Sequence, residues 1–381
     1  MWMLALSTFI NRMGTMVIFF FTLFLVQVRG WSAGEAATAL ALQGAGALAA
    51  GPFSGWFADR FGHRFTLAWS LGIEAGVLLL IPHVHSRHLL LALITLLSAA
   101  TQAYWPASMA FITDLVPPEN RKQAFVLHRL ATNLGIAVGP ALGGVIVHHA
   151  FHALFWIDAI TTLGGLAIIL TGIRVPATPL PPGHPSASAW RDHRLILLLL
   201  SMVPAFMAFT QIHGVLSLWV CSTLGHDTRS FGLLFTLDTF LILFVEAAIN
   251  HRLRHWAHRK QLALGATLIG LGFGSLYFFR PMPLLALSSV IWTFGEMIFL
   301  PASSHAVAAM APTDRRGEYL SLYSFAYTAA LALGGWLGMT VYGKGGPAWL
   351  WLGCGGLGAV SAVLMIHLIP GKPSLPIREK G

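Results

Sequence analysis

Runs of about twenty apolar residues recur from one end of this 381-residue chain to the other, and that repetition limits the fold more than any other feature. A helix rising about 1.5 Å per residue needs about twenty such residues to cross a hydrocarbon core of about 30 Å. Only 10% of the residues are charged and 56% are hydrophobic, whereas about a quarter of a soluble chain is charged. Lipid is therefore the expected solvent. Twelve spans are read at roughly 2–28, 34–57, 65–82, 88–115, 122–147, 152–173, 195–221, 229–250, 261–279, 283–311, 316–342 and 347–369. The first carries Asn11 and Arg12 and has no small-residue cleavage site behind a short apolar core, so it is expected to stay as a helix.

The formal net charge of +9 follows from topology rather than from nucleic-acid binding, because Lys and Arg collect in cytoplasmic loops. With the N-terminus inside, sixteen of the 23 basic residues, from Arg60 and Arg64 to Lys380, fall in cytoplasmic segments, against five outside: Arg29, Arg87, Arg229, Arg280 and Lys344. Both termini are thus expected in the cytoplasm. Arg12 and Arg129 remain inside helices. Cys221 and Cys354 offer neither ligand spacing nor an obvious bridge.

A shift of 195 residues aligns landmarks across the chain: Pro106-Ala107-Ser108 on Pro301-Ala302-Ser303, Pro117 on Pro312, Arg121 on Arg316, Gly139 on Gly334, Gly143 on Gly338 and Gly30 on Gly225. The chain reads as two six-helix halves, 1–173 and 195–381, joined by a proline-rich cytoplasmic linker, 174–194. The expected fold class is all-α, with twelve transmembrane helices in two pseudo-symmetric bundles. Parallel repeats of this kind suit alternating access around a site near the membrane midplane.

Two motifs stand out. Gly55-x-x-x-Asp59-Arg60-x-Gly62-x-Arg64 follows the second span, and Gly135-x-x-x-Gly139-Pro140-x-x-Gly143-Gly144 lies in the fifth. The first resembles the loop 2–3 signature of the major facilitator superfamily, and the second resembles the antiporter motif of its drug–proton exchangers. The runs "DLVPPENRKQAFVLHRLATNLG" and "TFGEMIFLPASS" are similar to its multidrug exporters. The resemblance covers the whole chain. It implies a cytoplasmic gate anchored by Asp59, with Arg60 and Arg64 pairing with nearby acids, among which Asp114 is the expected partner. The fourth span, "SAATQAYWPASMAFITD", lacks the arginine usual at its motif, so a standard proton relay is not expected there. In the fifth span the glycines admit a close neighbour and Pro140 bends the helix, which suits either a moving seam or plain packing.

Ionisable groups deep in spans are costly and are normally kept for function or pairing. Arg12, Glu74, Asp238 and Glu296 all fall near mid-membrane. A proton-coupled carrier needs a buried carboxyl that loads and releases a proton, and Glu296, then Asp238, fit that need. Glu74 either belongs to the coupling set or pairs with Arg12. His128 suits a proton route, whereas Arg129 either holds a carboxylate or snorkels to the inner surface. Asp158 and Glu246 are read as structurally paired. "HVHSRH" and "HHAFH" lack the acid or cysteine that would complete a metal site, and no phosphate-binding glycine loop occurs, so neither metal nor cofactor is expected.

These readings point to a monomeric secondary transporter of a bacterial inner membrane. It would exchange amphipathic cations for protons, with a small-molecule substrate, protons and the lipid bilayer as its partners. The alternative is a symporter, or an exporter of one metabolite, peptide or siderophore. No nucleophile–base pair suggests an enzyme, and the gate loop argues against a channel.

Overall fold

The computed structural model describes residues 2–117, 120–172, 189–312 and 316–368. Its helices are α1 (Trp2–Gly14), α2 (Val17–Leu23), α3 (Ala33–Phe61), α4 (His63–Leu80), α5 (Arg87–Leu115), α6 (Arg121–His149), α7 (Phe151–Gly172), α8 (His193–Phe209), α9 (Thr228–Leu253), α10 (His258–Ser275), α11 (Met282–Met310), α12 (Arg316–Gly345) and α13 (Pro347–Leu368). No strand occurs among the described residues. These helices correspond one for one to the expected spans, once α1 and α2 are joined as the first. Among the described residues, ten segments are long and apolar enough to cross a membrane. The helices α3 and α10 fall outside that set but pack among the others, α3 along α5 and α10 between α11 and α13.

Side chains at the helix starts explain several boundaries. Ser32 and Glu35 form a reciprocal capping box at α3: the Ser32 side chain accepts from the Glu35 amide, and the Glu35 carboxylate accepts from the Ser32 amide. Gly62 has φ +85°, a left-handed backbone that favours glycine, and this single residue separates α3 from α4. Asp192 caps α8 by accepting from the amides of Arg194 (2.9 Å) and Leu195 (3.4 Å), and it also accepts from the Tyr319 hydroxyl (2.8 Å). Most of the expected linker, residues 173–188, lies outside the described residues; its end forms a 3₁₀ turn, Ala189–Arg191.

The Asp192 cap gives a measurable pH dependence. Partial burial pushes its carboxyl up, but the bonds from Tyr319, Arg194 and Leu195 and the charge of His193 prevail and hold it below the ordinary range. Its stabilisation is therefore complete above that range and is lost as the pH falls below it, through the lowered value of the folded state. Asp192→Ala is expected to cost about 1 kcal/mol at neutral pH. Melting curves in detergent should show the gap between variant and parent narrowing in acid.

The 195-residue offset holds at the level of single hydrogen bonds. The first span ends in a π-helical turn, Phe24–Val28, and the seventh in another, Leu218–Thr223. The Trp31 amide reaches the Leu25 carbonyl at 3.0 Å, and the His226 amide reaches the Val220 carbonyl at 3.1 Å. Gly30 and Gly225 close the two turns with φ of +67° and +73°. Each of these spans is also interrupted. The break at Thr15–Met16 maps by the same shift onto Thr210–Gln211, where α8 gives way to a 3₁₀ turn, Thr210–Ile212.

The chain forms two compact units, and they differ from the two sequence halves. The first is Met1–His184 with Ile212–Thr239 and Gly335–Gly343; the second is Pro185–Gln211 with Phe240–Gly334 and Lys344–Gly381. The difference has a packing cause inside the first unit. Phe19 meets Phe235 at 4.4 Å and Phe20 meets Phe231 at 5.3 Å, while the Thr228 hydroxyl donates to the Gly144 carbonyl at 2.9 Å. These contacts attach the first turns of α9, the eighth span, to helices of the first half.

Candidate functional site

In the first unit, the glycines of the fifth-span motif place α6 directly against the broken first span. A Cβ on Gly135 would sit 2.6 Å from the Arg12 Cβ, one on Gly139 3.1 Å from the Met13 carbonyl, and one on Gly143 3.0 Å from the Met16 Cβ. The series therefore follows α1 from Arg12 to the break. On the other side α7 closes the groove: Ser7 donates to the Gly165 carbonyl at 2.8 Å and Asn11 to Thr162 at 3.1 Å. Pro140 sits within α6, and a Cβ on Gly232 of α9 would lie 2.5 Å from its carbonyl.

Arg12, Glu74 and Asp158 are each about 95% buried here. The Arg12 guanidinium, from the first span, lies over the rings of Tyr104 (5.1 Å) and Trp105 (4.9 Å) of the fourth. Its Nε and Nη2 atoms have no hydrogen-bond partner, and neither do Glu74 Oε2, Asp158 Oδ1 and His128 Nε2. Glu74 is bonded to the Thr101 side chain, and the Val17 amide donates to Asp158. The direct Glu74–Arg12 ion pair open to the sequence is not formed. His128 is buried under the field of Arg12 and lines a small cavity of about 10 Å³ with Leu4, Ala5 and Ile112. Arg129, next in sequence, is exposed.

In the second unit, Gly295 brings α11 close to α10, since a Cβ there would lie 2.6 Å from the Ile269 amide nitrogen. Glu296, the next residue, is half-buried and acts electrostatically on the phenol of Tyr327. Phe206 joins the group through edge contacts with Tyr327 (4.9 Å), Phe299 (5.4 Å) and Tyr323 (6.1 Å), and Tyr323 shares a 2.8 Å hydrogen bond with Ser303. A carboxylate beside several aromatic rings can recognise an organic cation through charge and through the ring faces. Asp238 belongs to the first unit, buried one turn beyond Phe235 on α9.

Of the gate loop, Gly55 and Asp59 lie within α3, Gly62 makes the turn, and Arg60 is exposed with its guanidinium near the Phe61 ring. Arg64 donates to the carbonyls of Ile169 (3.3 Å) and Leu170 (2.6 Å), near the end of α7, rather than to an acid. The side chains of Asp59 and Asp114, and with them the expected gate pairing, lie outside the described residues.

Where α6 ends in the first unit, His148 approaches Asp227 at 3.3 Å and His149 meets Arg229 at 3.1 Å. Among the described residues no group of three His, Cys, Asp or Glu side chains is placed to hold a metal ion. The sequence reading took Asp158 as a structurally paired acid only, and it missed Tyr104, Trp105 and the rings grouped on Phe206. The signal available was weak: an isolated acid in an apolar helix, and aromatic residues in spans that are rich in them.

Comparison with known proteins agrees with this architecture. The chain belongs to the Major Facilitator Superfamily, which it matches over residues 4–296 and 198–381. It is 24% identical over 394 residues to the multidrug resistance protein MdtH of Aeromonas hydrophila, covering 98% of this chain and 96% of that one. It is 23% identical over 319 residues to a Na(+), Li(+), K(+)/H(+) antiporter of Planococcus maritimus, covering 74% and 75% of the two chains. Its fold matches the crystal structure of the nucleoside transporter NupG with a TM-score of 0.81 at 14% identity, over 97% and 99% of the chains. The protein is a multi-pass membrane transporter of this superfamily.

Proposed function

We propose that this protein exports amphipathic, cationic small molecules across a bacterial inner membrane in exchange for protons, by alternating access, with both termini in the cytoplasm. The observation that carries this reading is Glu296, half-buried and acting on the phenol of Tyr327, whose ring belongs to an aromatic group centred on Phe206 with Phe299 and Tyr323. Relatives named as a multidrug resistance protein and as a cation/proton antiporter support the direction and the coupling. Asp238, Glu74, Arg12, His128 and Arg129 complete the proposed coupling set. Gly55, Asp59, Arg60, Gly62, Arg64 and Asp114 form the proposed gate, and the halves 1–173 and 195–381 act as the proposed moving bodies, in a monomer.

The test uses proteoliposomes with an imposed pH gradient and a fluorescent lipophilic cation. Accumulation that follows the gradient and collapses with a protonophore supports the exchanger. Indifference to both gradient and cation removes it. A second reading, transport of one anionic solute, is favoured by the buried guanidinium of Arg12 with two unpartnered nitrogens. Binding of anions that is lost in Arg12→Gln would select it.

A further inference from the structure

Asp158 sits where three features of the first unit meet: the break in the first span, the buried cation and a second buried carboxyl. The break leaves amides without an α-helical acceptor. The Thr15 amide turns to the Arg12 carbonyl (3.2 Å), the Met16 amide to the Gly14 carbonyl (2.5 Å), and the Val17 amide to the Asp158 carboxylate. Gly14 makes the approach possible, because a Cβ there would lie 3.1 Å from Asp158 Oδ1 and would collide with the Thr161 hydroxyl. The other Asp158 contacts are made by its own backbone, whose carbonyl accepts from the Thr161 side chain at 2.9 Å.

The charges around this point do not balance. From α1 comes Arg12, the one lysine or arginine among the buried described residues, and from α4 comes Glu74, whose field acts on Asp158. From α6 comes His128 and from α5 comes Tyr104, both facing Arg12; α2 contributes no ionisable side chain, and His83 in the turn after α4 stacks on Trp156 of α7. Two carboxyls therefore share one permanent cation, and Asp158 Oδ1 and Glu74 Oε2 have no hydrogen-bond donor. With both ionised, the site holds an uncompensated negative charge out of reach of solvent, which is costly. One proton on the pair makes it neutral and gives an orphaned oxygen a hydrogen. Such a proton belongs to the pair rather than to either residue.

We infer that Asp158 and Glu74 hold one exchangeable proton between them against Arg12, and that the charge on Asp158 sets the break in the first span. When Asp158 is ionised, its carboxylate holds the Val17 amide and keeps α1 and α2 apart. When it carries the proton, that hydrogen bond weakens and the broken segment is free to rearrange along the glycine face of α6. Asp158 is thus a positioning residue for the first span as well as a proton carrier, and its part in transport rests on the proton-coupled reading above.

The experiment is pH-stepped infrared difference spectroscopy of the purified full-length protein in lipid nanodiscs, paired with gradient-driven transport in proteoliposomes. The parent should show a carboxylic-acid C=O band that titrates and is absent from Asp158→Asn, whose amide oxygen still accepts from Val17. Glu74→Gln leaves the Val17 contact untouched and should shift the pH at which the band appears. Transport by Asp158→Asn should lose its dependence on the imposed gradient. A band unchanged in Asp158→Asn, or a parent-like pH profile of its transport, overturns the inference and leaves Asp158 as a helix cap only. A band that ignores Glu74→Gln overturns the sharing. If the band behaves as expected while parental transport ignores the gradient, the proton site stands and the exchanger reading fails.

Discussion

Replacing Glu296 by Gln is expected to lower affinity for a lipophilic cation by about tenfold or more, equivalent to at least about 1.4 kcal/mol, and to abolish its gradient-driven accumulation. Glutamine keeps the shape and the hydrogen-bonding oxygen, so what is lost is the charge. The side chain is half-buried in α11, where charge–charge attraction is screened less than in water. Tyr327, Phe206 and Tyr323 remain in place, so a neutral compound of the same shape should bind the variant as it binds the parent. The comparison of charged and neutral compounds is the measurement that counts. Equal losses for both would mean that Glu296 supports the packing of α11 and does not recognise charge.

The second large effect is expected at Gly144. A Cβ there would run into the Thr228 carbonyl, and the reciprocal change at Gly232 would place a Cβ 2.5 Å from the Pro140 carbonyl. In both cases the obstacle is backbone, which cannot rotate aside. Alanine at either position should therefore force these ends of α6 and α9 apart and shift the population away from the arrangement in which they meet. Cys221 reports the change, because it lines the hollow of about 360 Å³ between Val147, His148 and Asp227, whereas Cys354 is buried. A membrane-impermeant maleimide should label Cys221 at least several times faster in Gly144→Ala and in Gly232→Ala, with transport falling about tenfold, the cost of a 1.4 kcal/mol bias. Parental labelling in both variants would show that these helix ends accommodate a methyl group and that the close approach has no part in gating.

The sequence carries the helices and the repeat because both are periodic. Apolar runs give the spans, and Gly30 and Gly225 mark the same turn twice because glycine alone adopts their left-handed backbone without strain. The breaks in the first and seventh spans are silent in sequence: no proline stands at Thr15–Met16 or Thr210–Gln211, and the interruption depends on groups brought from elsewhere. Gln211 is an example, its amide donating to the carbonyls of Met207 (3.0 Å) and Gly334 (2.8 Å). Asp158 is invisible as a partner of Val17 because 141 positions separate them and nothing in "FWIDAITT" marks it out. Glu296 could be picked from its depth in a span. Tyr327, on which it acts, and the rings grouped on Phe206 come from α8, α11 and α12 and become a set only through packing. Arg64 shows the reverse case, a residue legible as part of a signature whose visible contact is with helix carbonyls.

A π-helical turn is an α-helical turn that holds one extra residue. This chain has one at Phe24–Val28 and one at Leu218–Thr223, in register with each other and each followed by a left-handed glycine. Two independent insertions would have no reason to agree in position and in the residue that closes them. The extra residue therefore belongs to the repeated plan of the first and seventh spans, in which one offset holds for the turn, its hydrogen bond and its closing glycine.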